Sequence, residues 1–237
     1  MCFGSWSLAI FVSLGQGKKS LEDEGNTVVL VELLGHGNDH TPVSEITFDK
    51  YVKQVTDAID DLHTPVILVG HSLGGAIVTQ AASKMPQKIS KLIYVAGFIP
   101  KNGSSVFDYS AMGSGTLIPS ALEFSADGST VTIANPTVNI PEIFCKDGSV
   151  EDNNLLVSKL RPDPVAAAGT PLSYNIDAYN WISEKYYIYI QPRTRQSVTL
   201  FRNKWCRKQI SKTLLKLSRD IVHLFQNRQS WFQLSIK

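Results

Sequence analysis

From Thr27 to Leu34 the chain is an almost unbroken run of β-branched and apolar residues. Such continuity is stable only where both faces of a strand are covered, so it predicts a buried parallel strand ending at the turn cluster Gly35-His36-Gly37-Asn38-Asp39. Phe48, Tyr51, Val52, Val55, Ala58, Ile59 and Leu62 then recur at helical spacing behind Thr47, a good N-cap, and predict a helix lying on a sheet. Pro65 to Val69 is a second buried strand, which runs into Gly70-His71-Ser72-Leu73-Gly74-Gly75 and an alanine-rich helix reaching Met85. Lys91 to Ala96 gives a third strand and Glu184 to Ile190 a fourth.

Strands alternating with helices over short connections imply an α/β protein. The expected architecture is a doubly wound, mostly parallel sheet with right-handed crossovers and its reactive loops at the carboxyl edge. Residues 98–177 lose this periodicity to turns and short apolar runs rich in Pro, Gly, Ser and Asn, as expected of a cap inserted over an active site. A single domain over residues 1–237 accommodates all of this, incomplete at both ends by the reading given below.

Gly70-His71-Ser72-Leu73-Gly74 matches G-x-S-x-G where it carries most meaning, after a buried strand and at the start of a helix. The serine of such an elbow sits in a strained turn, and Gly70 and Gly74 leave room for the backbone to pass. The helix N-terminus contributes partial positive charge, and the N–H of Leu73 faces the position where an oxyanion would develop. Acyl transfer with Ser72 as nucleophile is the matching chemistry.

Three segments carry a family resemblance: Leu33 to Gly37, Thr64 to Gly75, and Lys91 to Pro100. Over roughly Lys18 to Ile190 the chain resembles the α/β-hydrolase branch of plant methyl-salicylate and methyl-jasmonate esterases, hydroxynitrile lyases and their bacterial relatives. The resemblance implies Ser72 as nucleophile and Leu73 as one oxyanion donor. It also puts a His-Gly-x-Trp turn after the first core strand. Phe3-Gly4-Ser5-Trp6 fills that slot without the histidine and almost without the strand, which makes Ser5 the second donor. His71 corresponds to the esterase-like members. His36 matches a family turn, and local hydrogen bonds are expected to satisfy it.

Net charge changes the picture at the carboxyl end. Up to Lys185 there are 12 basic and 20 acidic residues, net −8; beyond it there are 11 basic residues and one acid, Asp220, net +10. The first part is that of an ordinary acidic enzyme, the second that of an arm for nucleic acid or a membrane surface. A triad needs an acid after the fourth strand and a histidine further on. The chain instead reads Gln191-Pro192-Arg193-Thr194-Arg195, and His223 is the only later histidine. His223 is thus the remaining candidate base, although a solvent-exposed residue is the plainer reading.

Back-translation accounts for the break. Let each codon take the last base of one residue's codon and the first two of the next. From Gln191 the chain can then spell Thr-Lys-Asp-Lys-Ala-Val-Ser, and across Arg219 to His223 it can spell Ser-Gly-His-Ser-Pro, only the first base of each codon being free. These resemble the family's acid-bearing and histidine-bearing segments. A similar shift over Phe11 to Gly17 gives Leu-Tyr-Leu-Trp-Gly-Lys-Val. Both ends are therefore read as frameshifted, residues 191–237 as an aberrant basic tail, and a nucleic-acid partner is not expected. Trp205, Ile210, Leu214, Leu217, Ile221 and Phe225 keep open an irregular amphipathic helix as a surface-binding arm.

No apolar run reaches the ~18–20 residues that span a bilayer, and the run Leu8 to Val12 lacks the preceding basic residue of a secretory signal. Cys2, Cys145 and Cys206 form neither a metal knuckle nor a redox pair, which fits a reducing cytoplasm. The expected activity is hydrolysis of small, largely apolar carboxylic esters, with no metal or cofactor, impaired if the triad is out of frame. A homodimer fits this reading. A non-catalytic ligand-binding protein and a hydroxynitrile lyase are the alternatives.

Overall fold

The computed structural model describes residues 18–19, 21–109, 118–144 and 148–188 in full, and residues 2–5, 110–111, 190–191 and 233–234 as backbone. In chain order it contains β1 (Cys2–Ser5), β2 (Val29–Val31), α1 (Phe48–Asp60), β3 (Val66–His71), α2 (Leu73–Lys84) and β4 (Ile89–Val95). There follow α3 (Val106–Ala111), α4 (Ile118–Ala121), β5 (Leu122–Phe124), β6 (Thr130–Ile133), α5 (Pro136–Phe144) and α6 (Val150–Ser158). The rest are β7 (Asp163–Pro164), α7 (Val165–Gly169), α8 (Ile176–Trp181), β8 (Lys185–Ile188), β9 (Ile190–Gln191) and β10 (Gln233–Leu234).

Five strands form one parallel sheet in the order β2-β1-β3-β4-β8. The chain passes from β1 outward to β2 and then returns to the other side of β1 for β3, so the order reverses between β1 and β3. Ligands of open α/β sheets bind in the crevice at the carboxyl ends flanking such a reversal. β1, scarcely visible as a strand in the sequence, is thus an interior strand of the sheet, between β2 and β3. It pairs with β2 from Cys2↔Val29 to Gly4↔Val31 and with β3 from Cys2↔Leu68 to Ser5↔His71.

The strand expected from Thr27 to Leu34 is shorter, only Val29–Val31. Gln54 on α1 accounts for its carboxyl end: its Nε2 donates to the Glu32 carbonyl at 2.9 Å and its Oε1 accepts from the Leu34 N–H at 3.1 Å. The amide side chain thus takes the backbone groups a neighbouring strand would have needed. α1 begins where expected, with the Thr47 side chain accepting from the Lys50 N–H, and buries Phe48, Tyr51, Val52, Val55 and Ile59. α2 is apolar around almost its whole circumference, because it is enclosed between the sheet and its neighbouring helices.

Residues 98–177 are more ordered than the weak pattern predicted. β5, β6 and β7 form a separate antiparallel sheet. A small apolar cluster of Ala121, Ile133, Ile140 and Leu156 sits apart from the main core. The expected boundary at 177 falls inside α8, whose Tyr179 belongs to that main core. In the tail the described backbone is one short antiparallel pair, Gln191↔Gln233 and Ile190↔Leu234. His223 and the residues of the proposed basic helix lie outside the described residues, as does the run from Phe11 to Gly17.

Candidate active site

Ser72 stands between the end of β3 and the first residue of α2 with φ 52° and ψ −126°. A non-glycine residue at positive φ with that ψ is strained by an order of 1–3 kcal/mol, and such strain persists only where the surroundings impose it. The imposing contacts are visible. The Ser72 carbonyl accepts from the Gly75 N–H at 3.0 Å and from the Phe98 N–H at 2.9 Å, so the elbow is fixed to its own helix and to the segment leaving β4.

Close approach explains the flanking glycines. A Cβ on Gly70 would lie 2.5 Å from the Gly74 carbonyl oxygen and 2.6 Å from Val78 Cγ2. One on Gly75 would lie 2.5 Å from the Phe98 carbonyl oxygen and 2.9 Å from its nitrogen. Gly75 and the strand-end pair Gly97-Phe98 are thus parts of the elbow that the five-residue motif omits. The glycine directly after the motif was the available signal.

The two oxyanion candidates stand at neighbouring strand ends. Leu73 is the first residue of α2, whose N–H has no acceptor within the helix. Ser5 ends β1 directly opposite His71, one residue before Ser72. The carboxyl ends of β1 and β3 thus lie on either side of the reversal of strand order.

The histidines separate clearly. His71 is half-buried as a residue, yet its Nδ1 is sealed from solvent and has no hydrogen-bond partner among the described residues. Burial pushes its pKa down to about 4, so the ring is neutral at neutral pH. His36 is buried, and both its nitrogens are engaged: Nδ1 with the Leu34 carbonyl at 3.0 Å and Nε2 with Asp163 Oδ1 at 2.7 Å. The local satisfaction expected for His36 is therefore half of its bonding; the other half comes from residue 163. His40 and His63 are exposed. Among the described residues no histidine is hydrogen-bonded to Ser72, whose side chain also makes no capping bond.

Behind the elbow lies a buried hydroxyl chain that the sequence did not reveal. Thr79 Oγ1 donates to the Gly75 carbonyl at 2.8 Å and lies 2.8 Å from the Tyr94 hydroxyl, which is 3.2 Å from that of Tyr179. It ties the first turn of α2 to β4 and α8. An open hollow lined by Pro86, Gln87, Asp177, Ala178 and Trp181 lies past the far end of α2. Twelve helical residues at about 1.5 Å each put it about 18 Å from Ser72, too far to serve this serine.

A serine on a strained strand-to-helix turn, at the order reversal of a parallel sheet, defines a nucleophile elbow of the α/β-hydrolase kind. The sequence profile of the alpha/beta hydrolase family matches residues 3–202, and the chain belongs to that family. It is 37% identical over 109 residues to putative methylesterase 14, chloroplastic, of Arabidopsis thaliana, covering 45% of this chain and 30% of the relative. It is 29% identical over 189 residues to putative methylesterase 12, chloroplastic, of the same plant, covering 75% and 52%. The chain thus spans about a third to a half of the length of these curated relatives. Among solved structures, methylesterase MES16 from Arabidopsis superposes with a TM-score of 0.62 at 26% identity, over 78% of this chain and 75% of that one.

Proposed function

We propose that the chain is the body of a serine-dependent carboxylic-ester hydrolase acting on small, largely apolar esters without metal or cofactor. The observation that carries this reading is the strained Ser72 backbone at a helix N-terminus beside the switch point of the sheet. In the proposed reaction the Ser72 hydroxyl attacks the ester carbonyl carbon and loses its proton to a histidine base. The N–H groups of Leu73 and Ser5 hold the oxyanion, the alcohol departs with that proton, and water then releases the acid. Residues 98–177 act as the cap that covers the ester. The methylesterase names of the relatives support this substrate class.

The base and acid are assigned to the segments after Ile190, read out of frame in this chain, with His223 the weak remaining candidate. In that state only the oxyanion donors and binding contribute, and turnover falls by several orders of magnitude. Resequencing the gene tests the shift: one base lost or gained near each end is the expected finding, and an uninterrupted frame refutes it. Among the described residues no helix is long and apolar enough to cross a membrane. A cytoplasmic location and a homodimer complete the proposal, the latter checked by sedimentation.

A non-catalytic small-ligand-binding protein is the second reading, favoured by the want of a histidine at Ser72 among the described residues. Incubation of the folded chain with a fluorophosphonate probe separates the two. The hydrolase reading expects labelling that is abolished by Ser72→Ala. Folded protein that stays unlabelled defeats it.

A further inference from the structure

His36 and Asp163 are 127 residues apart in sequence and meet at 2.7 Å with side chains only 8% exposed. His36 lies in the turn after β2, on the same carboxyl edge of the sheet as Ser72; Asp163 lies in β7 of the separate antiparallel sheet. We propose that this pair is a proton-dependent latch, in which one proton held between imidazole and carboxylate pins the β5–β6–β7 sheet to the catalytic edge. Calling the pinned sheet a cap rests on the function proposed above; the latch itself does not.

The geometry favours the proton. Nδ1 faces the Leu34 carbonyl and Nε2 faces the Asp163 carboxylate, and both of those oxygens are acceptors. A neutral ring that donates from Nε2 to an ionised Asp163 turns its Nδ1 lone pair toward the Leu34 oxygen, so donating to both neighbours takes one further proton on the pair. The turn is rigid enough to hold it there. The Asp39 carboxylate accepts from the N–H groups of Gly35 and Thr41 at 2.7 and 2.8 Å, and Glu32 accepts from the Asn38 N–H at 2.6 Å. Arg161 adds a second tie from the same segment, its guanidinium donating to the Asp39 carbonyl at 2.9 Å.

The charged and titratable groups around the ring are Asp39 and Glu32 of its own turn, Tyr51 of α1, and Asp163 and Arg161 of the insertion. Burial and, more weakly, Arg161 oppose protonation, while the hydrogen bond and charge of Asp163 and the Leu34 carbonyl favour it, and the net effect raises the His36 pKa above its ordinary value. Tyr51, which burial keeps protonated, donates to the Leu34 carbonyl at 3.1 Å and lies 3.5 Å from His36 Nδ1, ready to donate there once the ring loses its proton. A raised histidine pKa stabilises below the unfolded value and loses that contribution as pH rises through the folded one. The latch therefore loosens on the alkaline side.

Hydrogen exchange of the full chain between pH 6 and 9, corrected for intrinsic rates, tests this. The reporter is the Val165 N–H, bonded to the Ser129 carbonyl at 2.9 Å; the reference amides are Leu92 and Ala96 of the main sheet. Protection at residues 161–169 should fall with pH while the reference holds, by about tenfold for each unit of pKa elevation. His36→Gln and Asp163→Asn should make the profile flat. Equal pH slopes in wild type and His36→Gln overturn the latch. Should the variants not fold, nitrogen NMR of the wild-type ring decides: two protonated nitrogens at pH 6 are expected, and a neutral ring there overturns it. Ser72 labelling plays no part in these readouts, so the latch and the hydrolase reading fail separately.

Discussion

Gly75→Ala sets two effects of opposite sign against each other. In a helix interior alanine is better than glycine by about 0.8–1.0 kcal/mol, so propensity alone predicts a more stable protein. At this position the added methyl meets backbone on one side: the Phe98 carbonyl oxygen at 2.5 Å, the Phe98 nitrogen at 2.9 Å and the Gly97 carbonyl carbon at 3.0 Å. None of these is the end of a flexible side chain, so the 97–98 segment has to move away from α2. Overpacking of this kind costs about 1–3 kcal/mol. The same movement stretches the 2.9 Å bond from the Phe98 N–H to the Ser72 carbonyl, worth about 0.5–1.5 kcal/mol.

The net expectation is a loss of about 1–3 kcal/mol, read as a lower urea midpoint with an unchanged m-value. For a chain of this size each kcal/mol lowers Tm by about 2–4 °C. Because the displaced bond is one of two holding the elbow, labelling of Ser72 should slow in Gly75→Ala by more than the loss of folded protein explains. A variant as stable as wild type, or more so, refutes the claim that backbone contact forces glycine here.

Thr47→Ala removes the cap of α1 and should cost about 1 kcal/mol in urea unfolding, because the Lys50 N–H loses its side-chain acceptor. Tyr94→Phe deletes the middle hydroxyl of the chain behind the elbow; a destabilisation of about 1 kcal/mol and slower Ser72 labelling are expected. Leu92→Ala opens a cavity at a fully buried position of β4 and should cost about 2–5 kcal/mol. His71, with its pKa pushed down to about 4, binds its proton more readily when unfolded. Stability should therefore rise from pH 4 to 6.5, by at most about 3 kcal/mol given the ring's partial exposure, and His71→Gln should remove that slope.

What the sequence disclosed follows the range over which each signal acts. Thr47, the apolar stripe of α1 and the elbow around Ser72 are specified within a few residues, and each appears where local patterning puts it. β1 is not specified locally: Cys2–Ser5 is four residues long, contains a glycine, and becomes an interior strand through pairing with two neighbours. The insertion was obscure for a related reason. Its helices run from four to nine residues, too short to be stable alone, and α5 carries Pro141 in its interior, so packing decides them.

The two histidines beside the sheet edge show the same division. By residue type and by turn context, His36 and His71 are alike in the sequence; in the fold they hold opposite proton affinities. His36 is enclosed by a carboxylate and a carbonyl that demand N–H donors, whereas Nδ1 of His71 is enclosed with no described partner. Burial is common to both, so it cannot set the difference. The difference is made by Asp163, which lies between two prolines in a segment with no helical or strand signature and becomes visible only when the β5–β6–β7 sheet brings it across 127 residues to the turn after β2. A proton affinity of this kind is a property of tertiary contact. The charge state of the sheet's carboxyl edge therefore depends on the docking of the insertion as much as on the turn that local sequence specifies.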